Sequence, residues 1–363
     1  MSHIVISGYY GFDNAGDEAM LAAMLEAILE VLPRARITVI SGNPKETERR
    51  HGVKAIPRLS PWHVARTIKS CDLLISGGGS LLQDVTSDRS LYYYLSVIRL
   101  AKMFGKPVML YAQGIGPIQK EISQRRAATI LNTVDLITVR DEISKEELES
   151  IGVNRVPIHV TADAVLSMHP VDRTIGERLL KMYKLPGVAP KIGVSVRPWK
   201  HHVGYRKVLA AALDELVKNE QASIIFVPMQ YPDDIVEAKE VAKLMKEDSI
   251  VLECAYTTTE LLGLSSCMDV FIGVRLHALV FASLMEIPVV AVSYDPKINN
   301  FMHMIGDKDI LRMRDLQKEE LIAVVKEKIK LSTPRQEVLE NIRELRERSL
   351  KNAHLAFDLL KKK

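Results

Sequence analysis

The chain has 363 residues, is 47% hydrophobic and 26% charged, and carries a formal net charge of +4 at neutral pH. This composition indicates a soluble globular protein, and its length favours two domains over one. The small net charge and the lack of interleaved basic and aromatic residues argue against a nucleic-acid partner. Three scattered cysteines without metal-site spacing indicate a reducing compartment. With no signal peptide and no membrane-spanning apolar run, the sequence predicts a cytoplasmic protein.

Short apolar strands alternate with helices over residues 1–170, which is the pattern of a parallel α/β domain. Strands are predicted at residues 4–7, 36–41, 72–76, 107–113, 135–139 and 157–160. After a boundary that contains Pro186 and Gly187, the pattern resumes over residues 171–315. Strands are predicted there at residues 191–196, 223–227, 250–252, 268–273 and 288–293. Residues 316–363 are predicted to form charged C-terminal helices, with a weak membrane-surface tendency at the lysines 361–363.

The two halves repeat each other in short segments. Residues 70–77 resemble residues 266–273, and residues 106–109 resemble residues 287–290. Each segment belongs to a strand of the same type in a β-α-β unit. The repeat predicts two Rossmann-like domains with parallel sheets that face each other across a cleft.

The loop after the first strand, residues 8–18, is glycine-rich and opens a helix. It lacks the spacing of the dinucleotide fingerprint and the lysine of the P-loop. Its glycines would let a ligand approach the backbone at a helix N-terminus. Asp17 and Glu18 suit the helix dipole but would repel a phosphate, so a sugar fits this loop better. The alternative is a tight turn with no ligand.

The segment after the third strand combines glycines, carboxylates, hydroxyls and aromatic rings, which are the groups that carbohydrate sites use. Its residues include Gly77, Gly78, Gly79, Ser80, Gln83, Asp84, Thr86, Ser87, Tyr92, Tyr93 and Tyr94. A solvated loop with packed tyrosines is the alternative. Arg140 directly follows the fifth strand and should reach the same sheet edge, unless it forms a salt bridge to a nearby acid.

Four basic residues of the second half each follow a predicted strand within a few positions: Arg197, Arg275, His277 and Lys297. Parallel strands share one carboxyl edge, so these side chains should line one side of the cleft. Singly, each has an ordinary structural explanation. Together they predict a small polyanionic ligand, because arginine matches carboxylate or phosphate, lysine supplies a point charge and histidine exchanges a proton.

No metal site is predicted. The chain has no zinc spacing, and Asp307-Lys308-Asp309, which superficially resembles a metal–sugar-diphosphate motif, is interpreted as a turn. No Ser-His-Asp arrangement and no pair of catalytic carboxylates can be identified.

A set of motifs spread over most of the chain resembles the polysaccharide pyruvyltransferase family, and within it the CsaB-type cell-wall ketal pyruvyltransferases. The motifs are Gly8-Tyr9-Tyr10-Gly11 with Asn14 and Gly16-Asp17-Glu18, Ser76-Gly77-Gly78-Gly79 with Gln83-Asp84 and Thr86-Ser87, Tyr111-Ala112-Gln113-Gly114-Ile115-Gly116-Pro117, Val139-Arg140-Asp141, Thr161-Ala162-Asp163, Arg197-Pro198-Trp199, Arg275-Leu276-His277-Ala278 and Ser293-Tyr294-Asp295-Pro296-Lys297. Ala164 stands where proline is expected, a departure that puts no chemistry in doubt.

The resemblance implies a GT-B-like α/β fold, phosphoenolpyruvate as the donor substrate, and no cofactor. The acceptor it implies is β-N-acetylmannosamine on a lipid-diphosphate-linked disaccharide, at the inner face of the plasma membrane. The product would be a 4,6-ketal for secondary cell-wall polymer biosynthesis and S-layer anchoring. The implied contact with the membrane is peripheral, without a span.

We assign site residues on this basis. His277 is the general acid or a phosphate partner, Lys297 and Arg275 hold phosphate, and Arg140 reaches the donor across the cleft. Arg197 is a secondary donor candidate. The predicted acceptor-side residues, among which one carboxylate deprotonates a sugar hydroxyl, are Tyr10, Asn14, Asp17, Gly78, Gly79, Gln83 and Asp84.

Two other interpretations stay open. A GT-B sugar-nucleotide glycosyltransferase would also place basic residues at the strand ends of its second domain, but it usually needs an acidic residue for the ribose, and none is obvious here. A non-catalytic protein that binds an anionic glycan is the other alternative, and it leaves His277 hard to explain.

Overall fold

The fold is described from a computed structural model, which covers residues 2–85, 87–183, 185, 189–199 and 204–361. Thr86, Pro186, Gly187 and the last two lysines, which entered the sequence analysis, lie outside these described residues. The chain divides into two units: unit 1 contains Met1–Met168 and Leu345–Lys363, and unit 2 contains His169–Glu344. The first boundary lies next to the predicted one at residue 170. The predicted C-terminal segment 316–363 is shared between the two units.

Unit 1 is a parallel α/β domain. Its strands are β1 His3–Ser7, β2 Arg36–Ser41, β3 Lys54–Pro57, β4 Leu73–Ser76, β5 Val108–Gln113, β6 Leu136–Val139 and β7 Ile158–Val160. Its helices are α1 Ala15–Val31, α2 Pro44–His51, α3 Pro61–Lys69, α4 Asp88–Met103, α5 Glu121–Leu131 and α6 Glu142–Ser150, and a 3-10 turn covers Ala164–Ser167. The strands form one sheet in the order β3-β2-β1-β4-β5-β6-β7.

Unit 2 has the same architecture. Its helices and strands are α7 Thr174–Leu180, β8 Lys191–Ser195, α8 Tyr205–Glu220, β9 Ser223–Phe226, α9 Asp233–Ala242, β10 Ser249–Val251, α10 Thr258–Ser266, β11 Val270–Gly273, α11 Leu276–Leu284, β12 Val289–Ser293, α12 Pro296–Met304, β13 Ile310–Arg312 and α13 Lys318–Leu331, with a 3-10 turn at Met313–Asp315. The strands form a parallel sheet in the order β10-β9-β8-β11-β12-β13. The last helix, α14 Gln336–Lys361, begins in unit 2 and ends in unit 1.

The central strands are buried on both faces, which explains why their sequences are continuous apolar runs. All residues of β1, β4, β5 and β11 are buried. In unit 1, helices α3, α4, α5 and α6 pack their apolar residues into one shared core cluster with the sheet. Unit 2 has an equivalent core, to which α8 and α13 contribute.

The internal repeat has a structural cause. The Asp72 carboxylate accepts a hydrogen bond of 2.9 Å from the backbone N–H of His3, at the start of β1. The Asp269 carboxylate does the same for Lys191 at the start of β8, at 2.7 Å. An aspartate before the fourth strand of each sheet therefore fixes the start of the neighbouring central strand. The repeat predicted from sequence is confirmed as the same strand pair in both units.

Each sheet has one point where the strand order reverses. In unit 1, β2 and β3 are added on one side of β1, and the chain then crosses to the other side of β1 to form β4. The reversal therefore lies between β1 and β4. In unit 2 it lies between β8 and β11. Such switch points are where open α/β sheets bind ligands, outside the carboxyl ends of the strands.

Two polar contacts fix the C-terminal part of the chain. The Ser349 hydroxyl, on α14, donates to the backbone carbonyl of Asp163 at 2.9 Å. The Thr161 hydroxyl donates to the Asn352 side-chain oxygen at 3.0 Å. Both Ser349 and Asn352 are fully buried, so the end of α14 is an integral part of unit 1.

The Asp307-Lys308-Asp309 segment serves a structural purpose. Lys328, on α13, is buried and its ammonium lies 2.6 Å from Asp307 and 2.7 Å from Asp309. These carboxylates therefore attach α13 to the loop before β13. None of the helices within the described residues is both long and apolar enough to cross a bilayer.

Candidate active site

The strand order of unit 2 brings its four basic residues to neighbouring positions. Arg197 follows β8, Arg275 and His277 follow β11, and Lys297 follows β12. These three strands are adjacent in the sheet and parallel, so their carboxyl ends form one continuous edge. The switch point of unit 2 lies within this edge, between Arg197 and Arg275.

The N-terminus of α11 is the centre of this edge. Arg275 is the N-cap residue, and its side chain does not cap the helix. His277, which is half-buried, is the second residue of α11. The first turn of a helix carries backbone N–H groups without intrahelical acceptors and a partial positive charge. Because the N-cap side chain leaves this turn uncapped, it is suited to bind an anion.

Arg275 forms a buried, bidentate ion pair. Its Nε lies 3.0 Å from one oxygen of Asp234 and its Nη2 lies 2.5 Å from the other. Asp234 is fully buried and also accepts backbone hydrogen bonds from Met229 and Gln230. Burial raises the pKa of Asp234, an effect that Arg275 and the backbone donors oppose. Arg275 therefore holds the loop before α9 in place, and its charge is largely compensated.

Lys297 supplies a partly exposed cation at this edge. Its side chain is 34% exposed, and its ammonium lies 3.2 Å from Asp295. Asp295 is the N-cap of α12 and accepts from the backbone N–H of Lys297 at 3.1 Å. A half-exposed ion pair of this kind is weak, so an anionic ligand can compete with Asp295 for the lysine.

Arg197 lies in an aromatic pocket. Its guanidinium is 4.8 Å from the ring centre of Tyr294 and 5.4 Å from that of Trp199, and it donates a hydrogen bond to the Tyr294 hydroxyl. The two rings contact each other at 4.6 Å. The Nε atom of Arg197 is buried and has no hydrogen-bond partner within the described part of the chain. This guanidinium is held by aromatic rings, and none of the carboxylates among the described residues forms an ion pair with it.

In unit 1, the loop after β4 is held by the end of β5. The side-chain amide of Gln113 donates to the backbone carbonyl of Gly77, and the backbone N–H of Gly114 donates to the carbonyl of Gly79 at 3.0 Å. Gly79 has a φ of +96°, which favours glycine. The glycine segment is thus a fixed, buried extension of the sheet, and two of its glycines pack closely against the side chain of Met20.

Three of the predicted acceptor-side residues are engaged in structural contacts. Tyr10 is fully buried, and its ring fills the space beneath Gly8 and Gly77. The Asn14 side chain caps α1. Asp84 is buried and accepts from the backbone N–H groups of Gln119 and Lys120 at 2.8 and 3.0 Å. These residues shape the loops, and none of the three offers its polar group mainly to solvent.

Among the other predicted acceptor-side residues, Asp17 and Gln83 are partly exposed, whereas Gly78 and Gly79 are buried. Asp17 is half-buried, and a methyl group added to Gly79 would lie 3.3 Å from its carboxylate. Gly78 is part of the same segment, and Gln83 packs against Gly116.

Tyr9 adds an aromatic face to this edge. Its pKa is raised by burial and by the charge of Asp17, and its side chain is 37% exposed and stacks on Phe12 at 4.2 Å. An exposed aromatic face beside a carboxylate is a suitable sugar site.

The structure places the Arg140 guanidinium inside unit 1. The side chain is 10% exposed and lies 3.4 Å from both Asp141 and Asp163. It also donates to the Ser80 hydroxyl at 3.4 Å, and a methyl group on Gly114 would collide with the guanidinium at 2.5 Å. The salt-bridge alternative therefore describes the observed contacts, and Arg140 braces the two glycine loops.

The family follows from a comparison with known sequences. A sequence profile described as polysaccharide pyruvyl transferase matches residues 14–296, well over half of the chain. The chain belongs to the polysaccharide pyruvyl transferase family. The matched range contains Arg140, Arg197, Arg275 and His277, and Lys297 directly follows it.

A relative supports the family membership. The amylovoran biosynthesis protein AmsJ of Erwinia amylovora is 23% identical over 257 residues, which are 66% of this chain and 60% of AmsJ. The chain thus spans less than two thirds of that relative.

Solved structures share the fold of this pyruvyl transferase family member. HepE of Anabaena in complex with UDP-glucose has a TM-score of 0.63 at 14% identity, over 100% of this chain and 99% of HepE. The UDP-GlcNAc 2-epimerase of Neisseria meningitidis has a TM-score of 0.64 at 12% identity, over the full length of both chains. At these identities the likeness concerns the fold alone. The predicted GT-B-like fold is confirmed in its two Rossmann-like α/β domains with parallel sheets.

Several residues of this pyruvyl transferase family member were present in the quoted motifs without a role assigned from sequence. Trp199 and Tyr294 form the aromatic pocket of Arg197, and Gln113 fixes the glycine segment.

Two buried pairs were missed by the sequence reasoning. Asp234 lies 41 positions before Arg275, and nothing in the sequence pairs them. The buried Glu18–His51 pair, at 2.7 Å, was also missed, and Glu18 additionally fixes the backbone of Gly11.

Proposed function

We propose that the chain transfers pyruvate from phosphoenolpyruvate to a sugar and forms a ketal. The observation that carries this proposal is the cationic edge of unit 2. There the uncapped N-terminus of α11 follows β11, and the two neighbouring strands, β8 and β12, are followed by Arg197 and Lys297. Phosphoenolpyruvate has a carboxylate and a phosphate a few bonds apart. Two separate cations and a helix N-terminus match these two groups better than a single cation would.

The reaction places definite demands on this edge. Protonation of the methylene carbon makes the adjacent carbon electrophilic, and a sugar hydroxyl then attacks it. The C–O bond breaks and the bridging oxygen leaves with the phosphate, after which a second hydroxyl closes the ketal. The two hydroxyl protons are accounted for by the new methyl group and by the released phosphate. The protein must therefore bind two anionic groups, deliver one proton and stabilise the departing phosphate.

The contacts of the basic residues indicate which of them bind the donor and which only position the loops. Lys297 and Arg197 have the least compensated charges and bind the donor anions, and His277, in the first turn of α11, delivers the proton or contacts the phosphate. Arg275 and Arg140 are positioning residues, because each is paired with buried carboxylates.

The acceptor side is assigned to unit 1. Asp17 and Tyr9 receive the acceptor sugar beside the glycine segment, and Asp17 removes a hydroxyl proton. The support is the half-buried carboxylate of Asp17, which lies beside the glycine segment and the partly exposed ring of Tyr9.

We further propose β-N-acetylmannosamine of a lipid-diphosphate-linked disaccharide as the acceptor, at the inner face of the plasma membrane. The support is the motif resemblance to the CsaB-type enzymes of secondary cell-wall polymer biosynthesis, whose ketal anchors S-layer proteins. A GT-B sugar-nucleotide glycosyltransferase is the main rival because its fold is the same. The family membership favours pyruvyl transfer.

The deciding experiment incubates the full chain with phosphoenolpyruvate and a synthetic lipid-linked disaccharide. Phosphate release that requires both substrates, together with a ketal detected by mass spectrometry, is the expected result. A parallel incubation with sugar nucleotides tests the rival. Release of nucleoside diphosphate there, without phosphate release from phosphoenolpyruvate, would overturn the proposal. An absence of turnover with either donor would also overturn it and would favour the non-catalytic glycan-binding interpretation.

The assignment of His277 is tested by His277→Ala. Loss of a general acid should lower kcat by about 10² to 10⁴-fold while the protein remains folded. The matched control is His303→Ala, which removes an exposed histidine from the last turn of α12 and should leave the rate unchanged. Wild-type turnover in His277→Ala would remove the histidine from the mechanism.

A further inference from the structure

Helices α3, α4 and α5 of unit 1 hold more net positive charge than the whole chain. They contain seven arginine and lysine residues and only two acidic residues, a net charge of +5 compared with +4 for all 363 residues. The acidic residues, Asp88 and Glu121, are the first residues of α4 and α5. The outer surface of this helix layer is therefore strongly cationic in a nearly neutral protein.

A groove of about 920 Å³ lies between α4 and α5 on this surface. Apolar side chains line it together with Arg99, Lys102, Arg125 and Arg126. Lys102 is paired with Asp135, and Arg125 is paired with a glutamate on its own helix. Within the described residues, neither Arg99 nor Arg126 forms an ion pair, although Arg126 lies 5.1 Å from the ring centre of a tyrosine on α4. The groove thus offers two uncompensated guanidinium groups beside an apolar interior.

Large apolar side chains project to solvent around these cations. Met103 is 72% exposed and Ile122 is 55% exposed, and both line the groove. On α3, which packs beside α4, Trp62 is 73% exposed. Exposed apolar side chains among arginines and lysines are typical of surfaces that insert into the boundary between lipid headgroups and acyl chains. Tryptophan is enriched at that depth.

We propose that the outer surface of α3, α4 and α5 docks on an anionic phospholipid bilayer. The arginines pair with lipid phosphates, and Trp62, Met103 and Ile122 enter the headgroup boundary. This inference deepens the proposed function at the inner membrane face, and it rests on that proposal for its biological setting. The observations behind it concern this surface alone.

The charge of the surface favours an anionic bilayer over the other partners that could bind an apolar groove. A second copy of the chain would bring an identical cationic surface, and like charges across an interface are unfavourable. A nucleic acid would satisfy the arginines but would leave Met103 and Ile122 without an apolar partner. A bilayer of anionic lipids satisfies both the charged and the apolar groups.

The test is co-sedimentation of the full chain with vesicles, without substrates. Vesicles of phosphatidylcholine mixed with phosphatidylglycerol should bind the chain, vesicles of phosphatidylcholine alone should not, and added salt should weaken the binding. Each basic residue near an anionic membrane contributes about 1 kcal/mol, or about fivefold in affinity. Arg99→Glu combined with Arg126→Glu should therefore weaken binding by about 25-fold or more.

The matched control reverses two exposed charges elsewhere, Arg34→Glu combined with Lys330→Glu, and should weaken binding much less. Met103→Ser combined with Ile122→Ser should weaken it by about tenfold, because apolar contact area is lost. If Arg126→Glu disturbs the tyrosine ring beside it and lowers the melting temperature, Arg99→Glu combined with Lys69→Glu replaces the first variant.

Equal losses in the groove variant and the charge control would overturn the assignment of this surface, and so would an absence of vesicle binding. Self-association of the wild-type chain that the groove variant abolishes, without vesicle binding, would identify a dimer interface instead. Pyruvyl transfer to a water-soluble acceptor is measured separately. A chain that binds vesicles but transfers no pyruvate, or the reverse, therefore shows which of the two proposals has failed.

Discussion

In unit 1 the loops after the two central strands are rich in glycine and carboxylates, whereas in unit 2 the equivalent loops carry arginine and histidine. The scaffold beneath them is the same: both sheets reverse their order beside a central strand whose start is fixed by an aspartate. The difference therefore lies in the loops and not in the fold. It favours a sugar at the glycine-lined edge and a small anion at the cationic edge.

The two edges nevertheless share one feature, an arginine paired with buried carboxylates. Arg140 in unit 1 and Arg275 in unit 2 both follow a strand directly or within two residues, and both are paired with buried carboxylates. A buried pair is weak support for stability as such, but removing one partner leaves an uncompensated charge and is costly. These arginines shape the loops, while the least compensated charge at the carboxyl edge of the unit 2 sheet lies on Arg197, Lys297 and the α11 N-terminus.

The largest effect is expected from Arg275→Ala. The fully buried Asp234 carboxylate would lose its bidentate partner, at a cost of about 4 kcal/mol in the free energy of unfolding of unit 2. Urea unfolding followed by circular dichroism measures this loss. The double variant Arg275→Ala with Asp234→Ala removes the stranded charge and should recover part of the stability.

The same pair of variants separates positioning from binding. If Arg275 only positions the loop, the double variant should also recover part of the affinity for phosphoenolpyruvate. Recovered stability without any recovered affinity would show that Arg275 contacts the donor, and it would then join Lys297 and Arg197.

Arg140→Ala should lower the free energy of unfolding of unit 1 by a smaller amount, about 3 kcal/mol. The loss is smaller because the contacts of Arg140 with Asp141 and Asp163 are longer, at 3.4 Å. The KM for phosphoenolpyruvate should remain unchanged, since the guanidinium is used within unit 1. Steady-state kinetics below the melting temperature measure this. A rise of about tenfold in that KM, equal to about 1.4 kcal/mol, would place a donor contact on unit 1 and break the division between the two edges.

The smallest effect concerns Asp84 and depends on pH. Burial alone would raise the pKa of Asp84, but the backbone N–H groups of Gln119 and Lys120 hold it below the ordinary value. A carboxyl whose pKa is lowered by folding stabilises the protein above its unfolded pKa of about 4 and loses this contribution as the pH falls through the folded value. Asp84→Asn should therefore destabilise unit 1 by about 2 kcal/mol at neutral pH.

The difference between wild type and Asp84→Asn should shrink as the pH falls below the unfolded pKa of about 4 and on through the lower folded pKa. Unfolding midpoints at several pH values measure it, with the exposed Asp248→Asn as the control. A constant difference across this range would mean that the Asp84 carboxylate is not what ties the two glycine loops of unit 1 together.

Most strands of the fold could be predicted because buried parallel strands are apolar throughout, as β4 and β11 are. The strands β3 and β13 were missed. Both are edge strands of three or four residues with polar or exposed ends, so their sequences lack a recognisable period. The boundaries inside α14 could not be foreseen either, since one continuous helix serves both units.

For the candidate site, the sequence predicted which residues lie at the sheet edge but not which side chains contact each other. Parallel topology alone places Arg197, Arg275 and Lys297 at one edge. Which cation is compensated depends on partners such as Asp234, which is distant in sequence and reaches Arg275 only through the tertiary fold. Tyr10 shows the same limit, because its loop position suggests a ligand contact whereas its ring fills the space under two glycines.

The path of α14 has a consequence for dissecting the protein. A fragment that stops at Met168 lacks Ser349 and Asn352, and the carbonyl of Asp163 and the hydroxyl of Thr161 would lose their buried partners. Unit 1 is therefore discontinuous in sequence, and unit 2 is an insertion within it. Producing unit 1 alone requires rejoining residue 168 to residue 345 through a linker. Unit 2, residues 169–344, is continuous in sequence, but a fragment with these bounds is cut inside α14.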